Sequence, residues 1–148
     1  MRRMGVGSMI DIENVQPERT RAFWSANERD ALSALYDFRV VWHEQTHEFA
    51  ATQGEEIVGA LRMRIAASLA RLEIVTVMPA HRRQGVGRAL ATRCEELANY
   101  YNCHKVTVEV PVNGAAQAFL AACGYKTEAI LPQHAFKLDM AVMRKFLL

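Results

Sequence analysis

Val77-Met78-Pro79-Ala80-His81-Arg82-Arg83-Gln84-Gly85-Val86-Gly87-Arg88-Ala89-Leu90 joins two patterns of different period. Before it, residues 69–78 are rich in Leu, Ile and Val, as a buried strand is. After it, Val86, Leu90, Cys94, Leu97 and Tyr101 recur at helical spacing on one face. The chain therefore passes from strand to amphipathic helix through a basic, glycine-bearing turn. Gly85 and Gly87 carry no Cβ, so a ligand can approach the backbone there. Amides that open a helix have no intrahelical partner and stand at the positive end of its dipole, which favours an anion. His81, Arg82, Arg83 and Arg88 add to the positive field, and the part of Arg82 reads as largely electrostatic.

The glycine spacing excludes two common phosphate motifs. A P-loop needs Lys and then Ser or Thr after its second glycine, where this chain has Arg88 and Ala89. A dinucleotide fingerprint needs a third glycine, and position 90 is Leu. Arg82-x-x-Gly85-x-Gly87, preceded by Val77-x-Pro79, instead resembles the acyl-coenzyme-A loop of the GNAT superfamily of N-acetyltransferases. A second stretch agrees in order and type: Asn113, Ala116, Phe119, Gly124 and Tyr125 stand where that family shows an Asn, a short helix, an aromatic and a Gly-aromatic pair.

The resemblance covers about Glu56 to Leu148. It implies a mixed α/β (α+β) fold, with a mostly antiparallel central sheet of about six to seven strands flanked by helices. A splayed strand pair in that sheet would hold the acyl-coenzyme A. It also implies acetyl-coenzyme A as co-substrate, with Val75, Thr76 and Val77 along its pantetheine arm. Arg82, Arg83, Gln84, Gly85, Val86, Gly87, Arg88 and Asn113 complete the implied cofactor set.

Composition is compatible with this and excludes other classes. With 148 residues and 51% hydrophobic content, residues 9–148 are expected to form one domain, and residues 1–8 a disordered tail. A net charge of +2 without a basic stripe gives no case for nucleic acid. No run approaches the roughly eighteen apolar residues of a membrane span, and no signal peptide is visible, so a cytoplasmic protein is expected. Cys94, Cys103 and Cys123 lack C-x-x-C spacing and read as reduced core thiols.

Along the chain, a first strand is expected near Met9 to Val15. A helix starting near Asn27 should follow, with Ala31, Leu32, Leu35, Tyr36 and Arg39 as its stripe. Glu48 to Thr52 and Glu56 to Ala66 read as a hairpin about Gln53-Gly54-Glu55, and Leu69 to Met78 extends it into a meander. Then come a helix to about Tyr101, a strand over Lys105 to Val110, and a short helix over Ala115 to Cys123. A strand over Tyr125 to Ile130 would pack beside a last one near Phe136 to Arg144.

One motif argues for other chemistry. His43-Glu44-Gln45-Thr46-His47 is H-E-x-x-H, which on a helix places two His on one face for Zn²⁺ and a Glu to activate water, as in zinc metallopeptidases. Against it, Glu48 puts a charge where an uncharged residue is usual, and the chain turns strand-like at Phe49.

Acetyl transfer to an amine requires a proton acceptor, oxyanion donors and an acid for the leaving thiolate. Glu73 is the leading base candidate, placed by alternation on the strand face of Val75 and Val77; a surface ion pair with Arg71 or Arg62 would explain it equally. Glu109 is the second candidate, and His81 and His47 are weaker ones. Seven residues after Asn113, many family members have a Tyr that protonates the thiolate, and this chain has Leu120. The acid is thus unassigned, and a non-catalytic acyl-coenzyme-A sensor or interaction domain is the alternative. The acceptor is an unidentified small-molecule or peptide amine. Phe23, Trp24, Tyr36, Phe38 and Trp42 suggest an aromatic rim, and the resemblance allows a homodimer.

Overall fold

A computed structural model describes residues 4–6 and 9–147. The chain divides into two compact units, Met1–Trp42 and His43–Leu148. In the first, strand β1 (Met4–Val6) pairs antiparallel with β2 (Ile10–Ile12), and helix α1 (Pro17–Tyr36) follows. Of the expected tail, residues 1–3, 7 and 8 lie outside the described residues, while Met4–Val6 forms this short strand.

Helix α1 starts ten residues before the expected Asn27. Pro17 occupies its first turn, where a fixed φ suits the helix and the missing N–H costs nothing, and Glu18 complements the dipole. Asn27 lies inside it, donating to the Phe23 carbonyl at 2.9 Å rather than capping. Asp37, at φ 58, ends the helix before Arg39. The aromatics of this unit pair locally, Phe23 edge-on to Trp24 and Tyr36 against Phe38.

The second unit holds a six-stranded sheet of order β3-β4-β5-β6-β8-β7. Its strands are β3 (Gln45–Gln53), β4 (Glu56–Ala66), β5 (Leu69–Val77), β6 (Lys105–Pro111), β7 (Lys126–Leu131) and β8 (Met140–Phe146). All neighbours are antiparallel except β5 and β6, which run parallel. That pair is joined only at Leu69 with Lys105, Ala70 with Val106 and Arg71 with Thr107. Beyond these three pairs the strands separate, so the sheet is splayed where the resemblance implied. The last strand begins at Met140, because Phe136 lies at φ 54 in a 3-10 turn and is 95% exposed.

Helices α2 (Val86–Tyr100) and α3 (Ala115–Ala122) bury Leu90, Cys94, Ala98 and Leu120 in one apolar cluster with Leu61, Met63, Leu72, Val106, Val108 and Met143. Each fully buried large side chain contributes on the order of 1.5–3 kcal/mol. Both helices therefore cover one sheet face. Tyr101 does not belong to the buried stripe: it caps α2, remains 38% exposed and stacks on His47.

The H-E-x-x-H motif lies outside any helix. Gln45 begins β3, so His47 is on a strand, and the 3.6-residue geometry that would bring the two His together is absent. His47 instead meets Gln45 Oε1 at 2.9 Å. Among the described residues no group of His, Cys, Asp and Glu could hold a metal ion, and no helix is long and apolar enough to cross a membrane.

Candidate functional site

The opening stretch forms one wall of a cleft of about 550 Å³. Val75, Thr76 and Val77 enter it from β5, and Arg82, Arg83 and Gly85 from the loop. Val86, Gly87 and Arg88 enter it from the first turn of α2. His81 lines it too, with Ala115, Ala116 and Phe119 from the start of α3. Gln84 is exposed in the turn and is not among the lining residues. Asn113 borders a different cleft, beside Tyr125 and Thr127; its N–H donates to Gln117 Oε1 at 2.6 Å and its φ is 62.

Local conformation makes the loop an anion cradle. Gly85 sits at the N-cap of α2 with φ 81, a left-handed geometry that side chains resist. The first bond of the helical ladder runs from Ala89 N–H to Gly85 O at 3.0 Å, so the amides of Val86, Gly87 and Arg88 precede the ladder. At Gly87 a Cβ would stand 3.3 Å from the Phe119 ring, within the cleft that both residues line. The residues present thus fit a pyrophosphate. Two arginines also hold the frame: Arg82 Nε donates to the Val77 carbonyl at 2.9 Å, and Arg88 Nη2 to the Ala122 carbonyl at 3.0 Å. The role of Arg82 is therefore geometric as well as electrostatic.

Once past Arg71, the edge of β5 that faces β6 runs clear of that strand, while its other edge is paired with β4 as far as Val77. A row of open backbone groups is a template for an extended ligand.

A second cleft, of about 350 Å³, sits where β5 and β6 part. It brings both base candidates, Glu73 and Glu109, together with Arg64, Arg71 and Thr107. The side chain of Glu73 is not on the face of Val75 and Val77. Met63 pairs with Leu72 and Arg62 with Ile74, so Glu73 is the extra residue of a β-bulge. Its Oε1 lies 2.9 Å from Arg64 Nε, which places it on the polar face with Arg71, the register partner of Arg64. The ion-pair partner is thus neither Arg71 nor Arg62. Glu109 Oε2 is 3.8 Å from His134 Nε2.

No tyrosine acid lies at the position of Leu120, which is 2% exposed and part of the core. Tyr125 is also buried; its hydroxyl donates to Glu95 Oε2 at 3.4 Å, and burial followed by the Glu95 charge pushes its pKa up. The three cysteines are free and buried. Burial, with Glu95 adding, raises the Cys94 pKa to about 12.

The acetyltransferase (GNAT) family sequence model matches residues 8–125. The chain belongs to the GNAT acetyltransferase family. Solved structures share the fold. An acetyltransferase from Bacillus cereus, 18% identical, superposes with a TM-score of 0.74 over 94% of this chain and 99% of its own. The ribosomal-protein-S18-alanine N-acetyltransferase from Escherichia coli, also 18% identical, has a TM-score of 0.62 over 90% and 91%. Ard1 from Thermoplasma volcanium, 25% identical, has a TM-score of 0.62 over 67% and 69%. No curated protein matches the sequence.

The lining by Ala115, Ala116 and Phe119 was not legible as such in the GNAT motif, although Phe119 falls one turn after two small residues. Arg71 belongs to the second cleft through ordinary period-two alternation with Thr107 as its parallel partner.

Proposed function

We propose that the chain transfers an acetyl group from acetyl-coenzyme A to a primary amine by direct attack. The observation that carries this reading is the parting of β5 from β6 after Arg71 and Thr107, beside the glycine-bearing start of α2. The amides of Val86, Gly87 and Arg88 and the basic loop would hold the pyrophosphate, and the open edge of Val75, Thr76 and Val77 would pair with the pantetheine arm. Glu73, held at the bulge, takes the proton that the amine loses, with Glu109 as the second acceptor in the same cleft. The amine nitrogen bonds to the thioester carbonyl carbon, the C–S bond breaks, and the thiolate departs.

Leu120 and the buried Tyr125 leave that thiolate to be protonated by water, which a thiol of ordinary pKa, about 8.5, permits. The same two residues are what favours the alternative, binding of acyl-coenzyme A without turnover. Thiol release from acetyl-coenzyme A across an amine panel separates the readings. Turnover with any amine excludes the non-catalytic one, and the absence of a thermal shift with acetyl-coenzyme A excludes both.

A further inference from the structure

The second cleft carries more charge than proton transfer to Glu73 needs, two arginines and two glutamates, and one of the arginines is not held in an ion pair. Arg64 is already paired, its Nε lying 2.9 Å from Glu73 Oε1 and 3.2 Å from Glu44 Oε1. The neighbouring Arg62 is paired to Glu48 at 3.7 Å. Arg71 has no such partner: among the described residues its side chain makes no ion pair, hydrogen bond or cation–π contact. It is exposed, faces the same side as Glu73 and Glu109, and stands at the last residue pair before the strands part.

We infer that the acceptor carries a carboxylate beside its amine, so that the substrate class is small amino acids, with Arg71 as the residue that reads the carboxylate. This rests on the acetyltransferase reading above. An alkyl amine or polyamine finds Glu73 and Glu109 in this cleft but leaves Arg71 without a partner. A zwitterion satisfies both signs, its ammonium turned to Glu73 and Glu109 and its carboxylate to Arg71. The guanidinium is a planar fork that takes a carboxylate bidentately, and an unpaired one that lines a cleft offers that geometry without first breaking a bond. The size agrees: about 350 Å³ lies at the small end of the roughly 300–1,000 Å³ range of ligand clefts.

The test is a panel of amino acids, each compared with its carboxamide and with the amine lacking the carboxyl group, followed by thiol release from acetyl-coenzyme A. The expected result is a kcat/KM for the best amino acid on the order of tenfold or more above both counterparts, carried by KM. Arg71→Gln should collapse that preference, and Arg71→Lys, which keeps the charge and loses the fork, should restore part of it. A structural role for Arg71 would lower all three compounds together and leave their ratio intact. Equal or better turnover of the carboxyl-free amine or the carboxamide overturns the inference while leaving acetyl transfer standing. Absence of thiol release with every amine tried overturns the acetyltransferase reading, and this inference with it. The wild-type ratio decides the matter even where an Arg71 variant fails to fold.

Discussion

Arg64 Nε lies 2.9 Å from Glu73 Oε1, although the register partner of Arg64 is Arg71 and Glu73 has no register partner at all. The bulge takes Glu73 out of the alternation of β5, and the ion pair fixes where its carboxylate goes. The result is a carboxylate at the mouth of the gap between β5 and β6, facing Glu109 across the cleft. A side chain that alternation would send toward the apolar helices is thus delivered to the polar face, where an amine can reach it.

If Glu73 is the proton acceptor, Glu73→Gln lowers kcat/KM by about 10²–10⁴ and removes the acidic limb of its pH profile. Glu109→Gln keeps that limb. The profile of kcat/KM for the two variants checks this, and a limb lost only in Glu109→Gln assigns the role to Glu109.

If Glu73 is the proton acceptor, its pair with Arg64 positions the carboxylate and adds little to stability. The two side chains are 45% and 23% exposed, so Arg64→Gln should change stability by less than about 1 kcal/mol. Turnover should fall at least several-fold because Glu73 loses its orientation. Urea unfolding alongside kcat measures both; a large stability loss with unchanged turnover would make the pair structural.

Arg82 and Arg83 differ in what salt can screen. Arg82 Nε holds the Val77 carbonyl, a bond worth about 1 kcal/mol whatever the ionic strength. Arg83 enters the cleft without a hydrogen bond or ion pair among the described residues. Arg83→Ala should therefore weaken acetyl-coenzyme A binding at low salt and much less near 1 M, where the Debye length is about 3 Å. Arg82→Ala should retain a several-fold deficit at both. Titrations at the two ionic strengths check this.

Burial holds the Cys94 thiol neutral in the folded chain up to about 12, against an ordinary value of 9.0. Above 9.0 the unfolded chain gives up this proton while the folded chain keeps it, so stability falls as pH rises through that window. Denaturant midpoints should drop across it, and Cys94→Ala should flatten part of the slope. At neutral pH a thiol reagent should label the native chain slowly at all three cysteines and rapidly only after denaturation.

The order of elements from β4 to α3 was legible because strand and helix periods alternate cleanly and Gly85 and Gly87 mark the join. The beginnings of α1 and β3 were not. Residues 17–26 are polar around Phe23 and Trp24 and carry no apolar stripe, and only Pro17 and Glu18 mark the start. Gln45, Thr46 and His47 belong to an edge strand whose polar residues do not alternate with apolar ones. The bulge was hidden for a different reason. Buried Leu72 and half-buried Val75 are three apart, an odd step that signals a bulge, but Ile74 between them is apolar as well and masks it. With the bulge unread, the face of Glu73 and its pairing with Arg64 could not follow. Register, unlike period, depends on the partner strand.

The proposed transfer requires acetyl-coenzyme A to lie over the first turn of α2. Calorimetric titration of acetyl-coenzyme A into the wild type and into Gly87→Val tests this most directly, because a side chain at 87 stands 3.3 Å from the Phe119 ring, inside the cleft that both residues line. Saturable binding is expected for the wild type, and none measurable for a Gly87→Val variant that keeps its cooperative melting transition. No binding to the wild type, or equal affinity in the variant, would contradict it.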